Sequence, residues 1–101
     1  MNVKELLTFM AEQDASDLHL RVPAPPMLRV DGELFAAEGM DRLMPPDIEA
    51  ILEQITSEEQ RERFRNELEL DFAYSVPGLA RFRVNVMQQR GTMSIAFRRI
   101  P

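Results

Sequence analysis

The chain has 101 residues, of which 45% are hydrophobic and 29% are charged, and its net charge is −5. These proportions are ordinary for one globular domain with a modest core, and the negative charge argues against nucleic-acid binding, which needs an extended basic face. The absence of cysteine excludes disulfides and thiolate metal sites and fits a reducing compartment. With no apolar run of the roughly 18 residues that a membrane span needs and no signal peptide, we expect a cytoplasmic domain without direct membrane insertion.

The charges are divided unevenly along the chain. All 17 acidic residues and seven of the 12 basic residues lie between Met1 and Asp71. The segment from Phe72 to Pro101 has no acidic residue and five arginines, namely Arg81, Arg83, Arg90, Arg98 and Arg99. A protein of net charge −5 therefore ends in a segment of charge +5.

The first elements are a helix and a strand. Asn2 followed by Glu5 matches a capping box, and the apolar residues after it have helical spacing, which predicts a helix over residues 3–13. Polar and apolar residues alternate over Asp17–Val22, which predicts a strand. Its polar face carries Asp17, His19 and Arg21.

Two short strands follow after three prolines. We predict them over residues 28–30 and 33–35, because Asp31-Gly32 between them supplies the positive φ angles that a type I′ turn requires. Residues 36–44 show no clean period and are predicted to form a loop.

Two helices are predicted in the middle of the chain. Pro45 and Pro46 mark the start of the first, whose apolar stripe continues to Ile55. Ser57 and Gln60 resemble another capping box and predict a third helix that runs to about residue 66.

The last third alternates in the manner of β-strands. The pattern covers Glu69–Tyr74, Arg81–Val86 and Thr92–Arg98, and a short turn at residues 88–91 separates the last two. The order of elements is thus α, β, β, β, α, α, β, β, β. It predicts an α+β fold of PAS-like appearance, a central antiparallel sheet with helices packed mainly on one face.

The last two strands bring arginines together. If these two strands form a hairpin, the apolar residues of both strands can lie on the same face of the sheet only in certain registers. Those registers place Arg98 opposite or diagonal to Arg81 or Arg83. Like charges so placed repel, which favours an anion site, with phosphate as one candidate ligand. The alternative interpretation is a solvated face on which these arginines pair with the acidic remainder of the chain.

Other candidate sites are weaker. The sequence has no GxxxxGK[ST] motif, so we predict no P-loop and no catalytic residue in this chain alone. His19 and Asp17 share a strand face, but no third ligand has suitable spacing. We therefore predict no metal and interpret His19 as a surface or interface hydrogen-bonding residue. The acidic residues Glu67, Glu69 and Asp71 are interpreted as a solvated patch.

Three segments together resemble one family: Ala15–Leu20, Pro26–Glu33 and Asp71–Asn85. In order and spacing they resemble the N-terminal domain of PilT-like type IV pilus retraction ATPases, within the wider family of secretion and pilus-motor ATPases. The resemblance continues to Arg98-Arg99-Ile100-Pro101, and no single motif carries it. It implies one N-terminal PAS-like domain over residues 1–101. In the family a RecA-like ATPase domain follows, and this chain contains none of its motifs.

The resemblance also implies roles for the arginines. In the family, arginines on the two late strands of this domain contact the terminal phosphate of ATP that the ATPase domain holds. By motif position they match Arg83 and Arg98, with Arg81 as a further candidate. ATP and its Mg²⁺ would then be held through the other domain. We expect this chain alone to bind no cofactor tightly and to be no enzyme, whereas the full-length protein would be an ATPase.

The resemblance implies partners as well. The domain would contact its own C-terminal ATPase domain and neighbouring subunits of a homohexamer, and would move relative to the ATPase domain during hydrolysis. Asp17 and His19 are candidate contacts in that ring. The motor would act on a platform protein at the inner membrane, in twitching motility. The alternatives are the same domain from a pilus-assembly or type II secretion ATPase, and a stand-alone PAS-like sensor or adaptor.

Overall fold

The computed structural model describes all residues, Met1–Pro101, and contains three helices and six strands. The helices are α1 (Val3–Glu12), α2 (Pro45–Ile55) and α3 (Glu58–Glu67). The strands are β1 (Asp17–Leu20), β2 (Met27–Val30), β3 (Glu33–Ala36), β4 (Glu69–Val76), β5 (Ala80–Gln89) and β6 (Thr92–Ile100). The predicted α+β class and order of elements are confirmed. None of the helices is long and apolar enough to cross a membrane.

All six strands form one antiparallel sheet in the order β3-β2-β1-β6-β5-β4. The first strand of the chain therefore pairs with the last, and Asp17 lies opposite Arg98. This pairing joins the acidic first part of the chain to the arginine-rich hairpin.

One face of the sheet packs against all three helices. A cluster of 21 buried residues combines the apolar stripes of the helices with the inward residues of the strands. At its centre the rings of Phe82 and Phe97, on neighbouring strands, meet edge to face with centroids 6.4 Å apart. Because the helices cover only this face, the polar residues that alternate with the core positions lie on the opposite, open face.

Local hydrogen bonds explain where the helices begin. At α1 the Asn2 side chain accepts a hydrogen bond from the Glu5 N–H at 3.0 Å. The reciprocal bond from the Asn2 N–H to the Glu5 side chain does not form, so only half of the predicted capping box is present. At α3 both hydrogen bonds of the capping box form. Ser57 Oγ accepts from the Gln60 N–H at 3.2 Å, and Gln60 Oε1 accepts from the Ser57 N–H at 2.8 Å. The prediction for α3 is thus confirmed in full.

Two tight turns set the registers of the hairpins. Asp31 and Gly32, between β2 and β3, have φ angles of 50° and 82°, as the predicted type I′ turn requires. Arg90 and Gly91 connect β5 and β6 with φ angles of 52° and 78°. The sequence predicted a turn over residues 88–91. The structure shows a shorter turn that consists only of Arg90 and Gly91.

The strand and loop boundaries differ slightly from the prediction. The first strand ends at Leu20 rather than Val22, since the prolines that follow interrupt pairing. Ala36 belongs to β3, and the rest of the predicted loop is anchored by Leu43. The Leu43 side chain is fully buried, and its N–H donates to the carbonyl oxygen of Ala24 at 2.8 Å.

Candidate anion-binding site

A row of charged side chains crosses the open face of the sheet. Arg83 on β5 lies directly opposite Arg98 on β6. On the other side of Arg98 lies Asp17 on β1, and Asp17 in turn lies opposite Arg29 on β2. The sequence predicted that Arg98 lies opposite or diagonal to Arg81 or Arg83, and the structure places it opposite Arg83.

Asp17 lies between two of these arginines. Its Oδ1 accepts a hydrogen bond from Nε of Arg98 at 2.8 Å. Its Oδ2 accepts one from Ser16 Oγ at 3.0 Å and lies 3.6 Å from Nε of Arg29. The Asp17 residue is only 5% exposed, whereas the Arg98 side chain is 75% exposed. A buried carboxylate thus holds one end of an exposed guanidinium.

The surroundings of Asp17 keep it ionised. Burial by itself raises the pKa of this carboxyl, but the hydrogen bonds from Arg98 and Ser16, with the positive charge of Arg98, outweigh burial and hold the pKa below its ordinary 3.8. The same hydrogen bond raises the pKa of Arg98. Both groups therefore carry their charges at neutral pH.

Arg83 has a different kind of partner. Its Nε donates to Asp71 Oδ1 at 3.0 Å and its Nη2 donates to Asp71 Oδ2 at 3.4 Å. The side chains of Arg83 and Asp71 are 68% and 47% exposed, so solvent screens this pair. Asp71 is exposed, as its interpretation as part of a solvated patch predicts, and the register of β4 and β5 also brings it beside Arg83.

These residues surround a shallow depression of about 270 Å³. Its lining comprises Asp17, His19, Asp71, Arg83, Asn85, Ala96, Phe97 and Arg98. The structure thus brings together four of the five site residues that the sequence predicts. Because two arginines and two aspartates line it, the depression has a net charge of zero.

The remaining arginines of the last third lie elsewhere. Arg81 is on the same face as Arg83 but lies outside the depression, opposite Ser75 and Ile100. Arg90 is in the turn, and Arg99 lies at the end of β6 with its Nη1 3.9 Å from Asp14 Oδ1. The positive charge of this segment is therefore spread over several surfaces.

His19 also lines the depression, opposite Ala96 on β6, and is half-buried. Burial lowers its pKa below 6.5, the charge of Asp17 raises it, and nearby arginines lower it further, so the net shift is downward and the imidazole is neutral at pH 7. No side-chain hydrogen bond to His19 forms within the chain, and no group of three or more His, Asp or Glu residues could hold a metal ion. The roles of Asp17 and His19 at a subunit interface stay predictions.

The arginines retain donors for an anion. A guanidinium has five N–H groups. Arg98 uses only its Nε–H within the chain, which leaves four, and Arg83 uses two, which leaves three. Both exposed groups therefore fit a phosphate without breaking their ion pairs. The alternative interpretation is confirmed in its pairing, because Arg83 and Arg98 do bind acidic residues of the chain, while the anion site stays a prediction.

The sequence alone did not identify Asp71, Asn85 or Arg29 as neighbours of the site. Asp71 and Asn85 lie opposite each other on β4 and β5. Counting back through the short Pro77-Gly78 turn could have suggested this pair. Arg29 had no such signal, because its position depends on the pairing of β1 with β2.

Comparison with known proteins identifies the family. No protein-family model matches the chain. The chain is 44% identical over all 101 of its residues to the type IV pilus retraction ATPase PilT of Pseudomonas aeruginosa. A crystal structure of the pilus retraction motor PilT with bound ADP superposes on the whole chain with a TM-score of 0.91 at 35% identity. The chain is a PilT-like N-terminal domain.

A second pilus ATPase is also similar to the chain. The type IV pilus ATPase PilU of Pseudomonas aeruginosa is 32% identical over 100 residues, or 99% of this chain. The PilT-like domain spans 29% of the length of the PilT relative and 26% of that of PilU. It likewise spans 29% of the PilT chain in the crystal structure. The relatives are ATPases, and most of their length lies outside the matched region.

Proposed function

We propose that this PilT-like domain supplies Arg83 and Arg98 to the terminal phosphate of ATP held by a P-loop domain of the same protein. The observation that carries the proposal is the direct opposition of two exposed guanidinium groups that keep four and three unused N–H donors. Planar guanidinium donors match phosphate oxygens in pairs. The nucleotide would supply the phosphoryl group, and the arginines, together with Mg²⁺ held through the other domain, would offset its negative charge.

The proposal extends to the assembly in which the domain acts. Residues 1–101 would form the N-terminal domain of a hexameric ATPase, in contact with its own ATPase domain and with neighbouring subunits. Movement between the two domains would follow the nucleotide state. The motor would drive pilus retraction from the cytoplasmic side of the inner membrane, through a platform protein. The 44% identity to PilT supports retraction over assembly or secretion.

Replacement of the two arginines tests this function. In the full-length protein, Arg83→Ala and Arg98→Ala are each expected to lower the turnover number for ATP by roughly a hundredfold or more, because an arginine on the transferring phosphoryl group is worth at least that much in related chemistry. Turnover is measured at saturating ATP and normalised to the amount of folded hexamer.

A matched control is Arg63→Ala. Arg63 is exposed on α3 and makes no ion pair, so this variant loses the same side chain without touching the site and should keep wild-type turnover. Arg81→Ala is expected to have a smaller effect, since Arg81 lies outside the depression. Wild-type turnover in both Arg83→Ala and Arg98→Ala would overturn the proposal.

A further inference from the structure

Asp17 is the one charged residue among the buried residues of this domain. It lies on the open face of the sheet, where its neighbours in the row are arginines rather than apolar residues. Ionised carboxylates are rarely buried unless they are paired and hydrogen-bonded. A buried charge on an otherwise solvated face therefore calls for an explanation beyond folding.

The carboxylate is held on both oxygens. Ser16 Oγ donates to Oδ2 at 3.0 Å, and Arg29 Nε lies 3.6 Å from the same oxygen. Arg29 is itself fixed by a hydrogen bond from its Nη1 to the carbonyl oxygen of Gly32 at 2.8 Å. Asp17 can therefore act as a fixed acceptor rather than a mobile one.

The contact to Arg98 leaves that arginine ready for a second acceptor. Nε of Arg98 donates to Asp17 Oδ1 at 2.8 Å, and the four N–H groups on its terminal nitrogens have no partner in the chain. The charge of Asp17 also offsets the repulsion between Arg98 and Arg83, which lie directly opposite each other. Without that charge, Arg98 would turn away from Arg83 into solvent.

The contact between Asp71 and Arg83 cannot play the same part. Both of its side chains are largely exposed, and exposed ion pairs hold long side chains weakly. Of the two facing arginines, Arg83 and Arg98, only Arg98 is held by a buried acceptor.

We propose that Asp17 is a positioning residue: its fixed carboxylate holds Arg98 by Nε so that the terminal N–H groups face the terminal phosphate of ATP. This inference rests on the function proposed above, in which Arg98 contacts that phosphate. Asp17 itself touches neither the nucleotide nor the reacting atoms.

Asp17→Asn in the full-length protein tests the inference. This variant keeps the shape of the side chain and removes its charge. We expect the turnover number to fall between about tenfold and a hundredfold, with a smaller change in KM, because a misplaced group costs that much when it acts on the transition state. In an Arg98→Ala background, adding Asp17→Asn should lower turnover by less than about twofold, since Asp17 acts through Arg98.

Glu62→Gln provides a matched control. Glu62 also receives a hydrogen bond from an arginine, with Arg65 Nη2 at 2.6 Å from its Oε2, but it lies on α3 outside the site. The same change from carboxylate to amide should leave turnover unaltered there. If Asp17→Asn fails to fold, Ser16→Ala removes the hydrogen bond to Oδ2, together with a longer one of 3.4 Å to the carbonyl oxygen of Arg29, and leaves the Asp17 charge in place. It should then give a smaller loss of turnover that also disappears in the Arg98→Ala background.

The outcomes separate this inference from the proposed function. Wild-type turnover in Arg98→Ala, with Arg83→Ala also active, would overturn the function itself. A crippled Arg98→Ala together with wild-type turnover in Asp17→Asn would overturn only the positioning role. A loss in Asp17→Asn that persists undiminished in the Arg98→Ala background would also overturn it, because Asp17 would then act through folding or through another group.

Discussion

At the scale of single residues, burial decides what each charge on the open face does. Asp17 and Asp71 each bind an arginine, yet the Asp17 side chain is 7% exposed whereas the Asp71 side chain is 47% exposed. Water competes for Asp71, while Asp17 depends on its protein donors. Removal of the Asp17 charge should therefore cost stability, whereas exposed ion pairs of the other kind contribute little.

The pH dependence of stability should show this contribution. The pKa of Asp17 is lower in the fold than its ordinary 3.8, so its contribution is complete above that value and is lost as pH falls through the folded pKa. We expect Asp17→Asn to reduce the free energy of unfolding by roughly 1.5–3 kcal/mol at pH 7, the range for hydrogen bonds to charged groups. Below about pH 3.8 the difference between variant and wild type should shrink.

Urea unfolding of both proteins between pH 2 and pH 8 provides the measurement. Asp41→Asn is the control, because Asp41 is exposed and unpaired in the loop before α2, and it should leave stability unchanged. A difference between Asp17→Asn and wild type that stayed constant down to pH 2 would contradict the assignment of the effect to this carboxylate.

At the scale of elements, the turn between β5 and β6 fixes the site. Arg90-Gly91 closes the hairpin in the one register that places Arg83 opposite Arg98. A slip of one residue would send the arginines to the core face and the phenylalanines to solvent. The geometry of a two-residue turn thus determines which charges meet about seven residues away.

Substitution of Gly91 tests whether this turn requires a residue that tolerates a positive φ angle. Gly91 has a φ of +78°, and nothing lies within 4 Å of an added Cβ, so any cost arises from the backbone rather than from a clash. Gly91→Val should reduce the free energy of unfolding by about 1–2 kcal/mol, because β-branched residues avoid this region. Gly91→Asn should cost less, since asparagine tolerates it. Equal losses in the two variants, measured by urea unfolding, would rule out this explanation.

The elements were predictable from sequence because their signals are local. Helical spacing, capping residues and alternation lie within a few neighbouring residues. These signals correctly predicted the order of elements, and they limited the neighbours of Arg98 on β5 to Arg81 or Arg83. The pairing of β1 with β6 has no local signal, since it depends on how the whole core packs. The Asp17–Arg98 hydrogen bond joins residues 81 positions apart and was therefore not foreseen.

At the scale of the whole molecule, the open face does not by itself enclose a nucleotide. The depression is shallow, and its two arginines are balanced by two aspartates. Such a surface provides neither the enclosure nor the net charge that tight binding of a free nucleotide requires. Strong contact with phosphate would arise only when another domain holds the nucleotide against the sheet.

The isolated chain of residues 1–101 should therefore bind ATP weakly and should not hydrolyse it. We expect a Kd of about 1 mM or weaker, which corresponds to roughly −4 kcal/mol. Titration followed by amide NMR should show small shifts confined to β1, β5 and β6, and these shifts should be reduced in Arg83→Ala. A micromolar Kd, or a metabolite that copurifies with the chain, would instead indicate a stand-alone sensor. The two functions differ in where the ligand contacts lie. A sensor must bind its ligand with the residues of one domain, whereas a motor can couple nucleotide state to movement if its site is complete only when two domains close on the nucleotide.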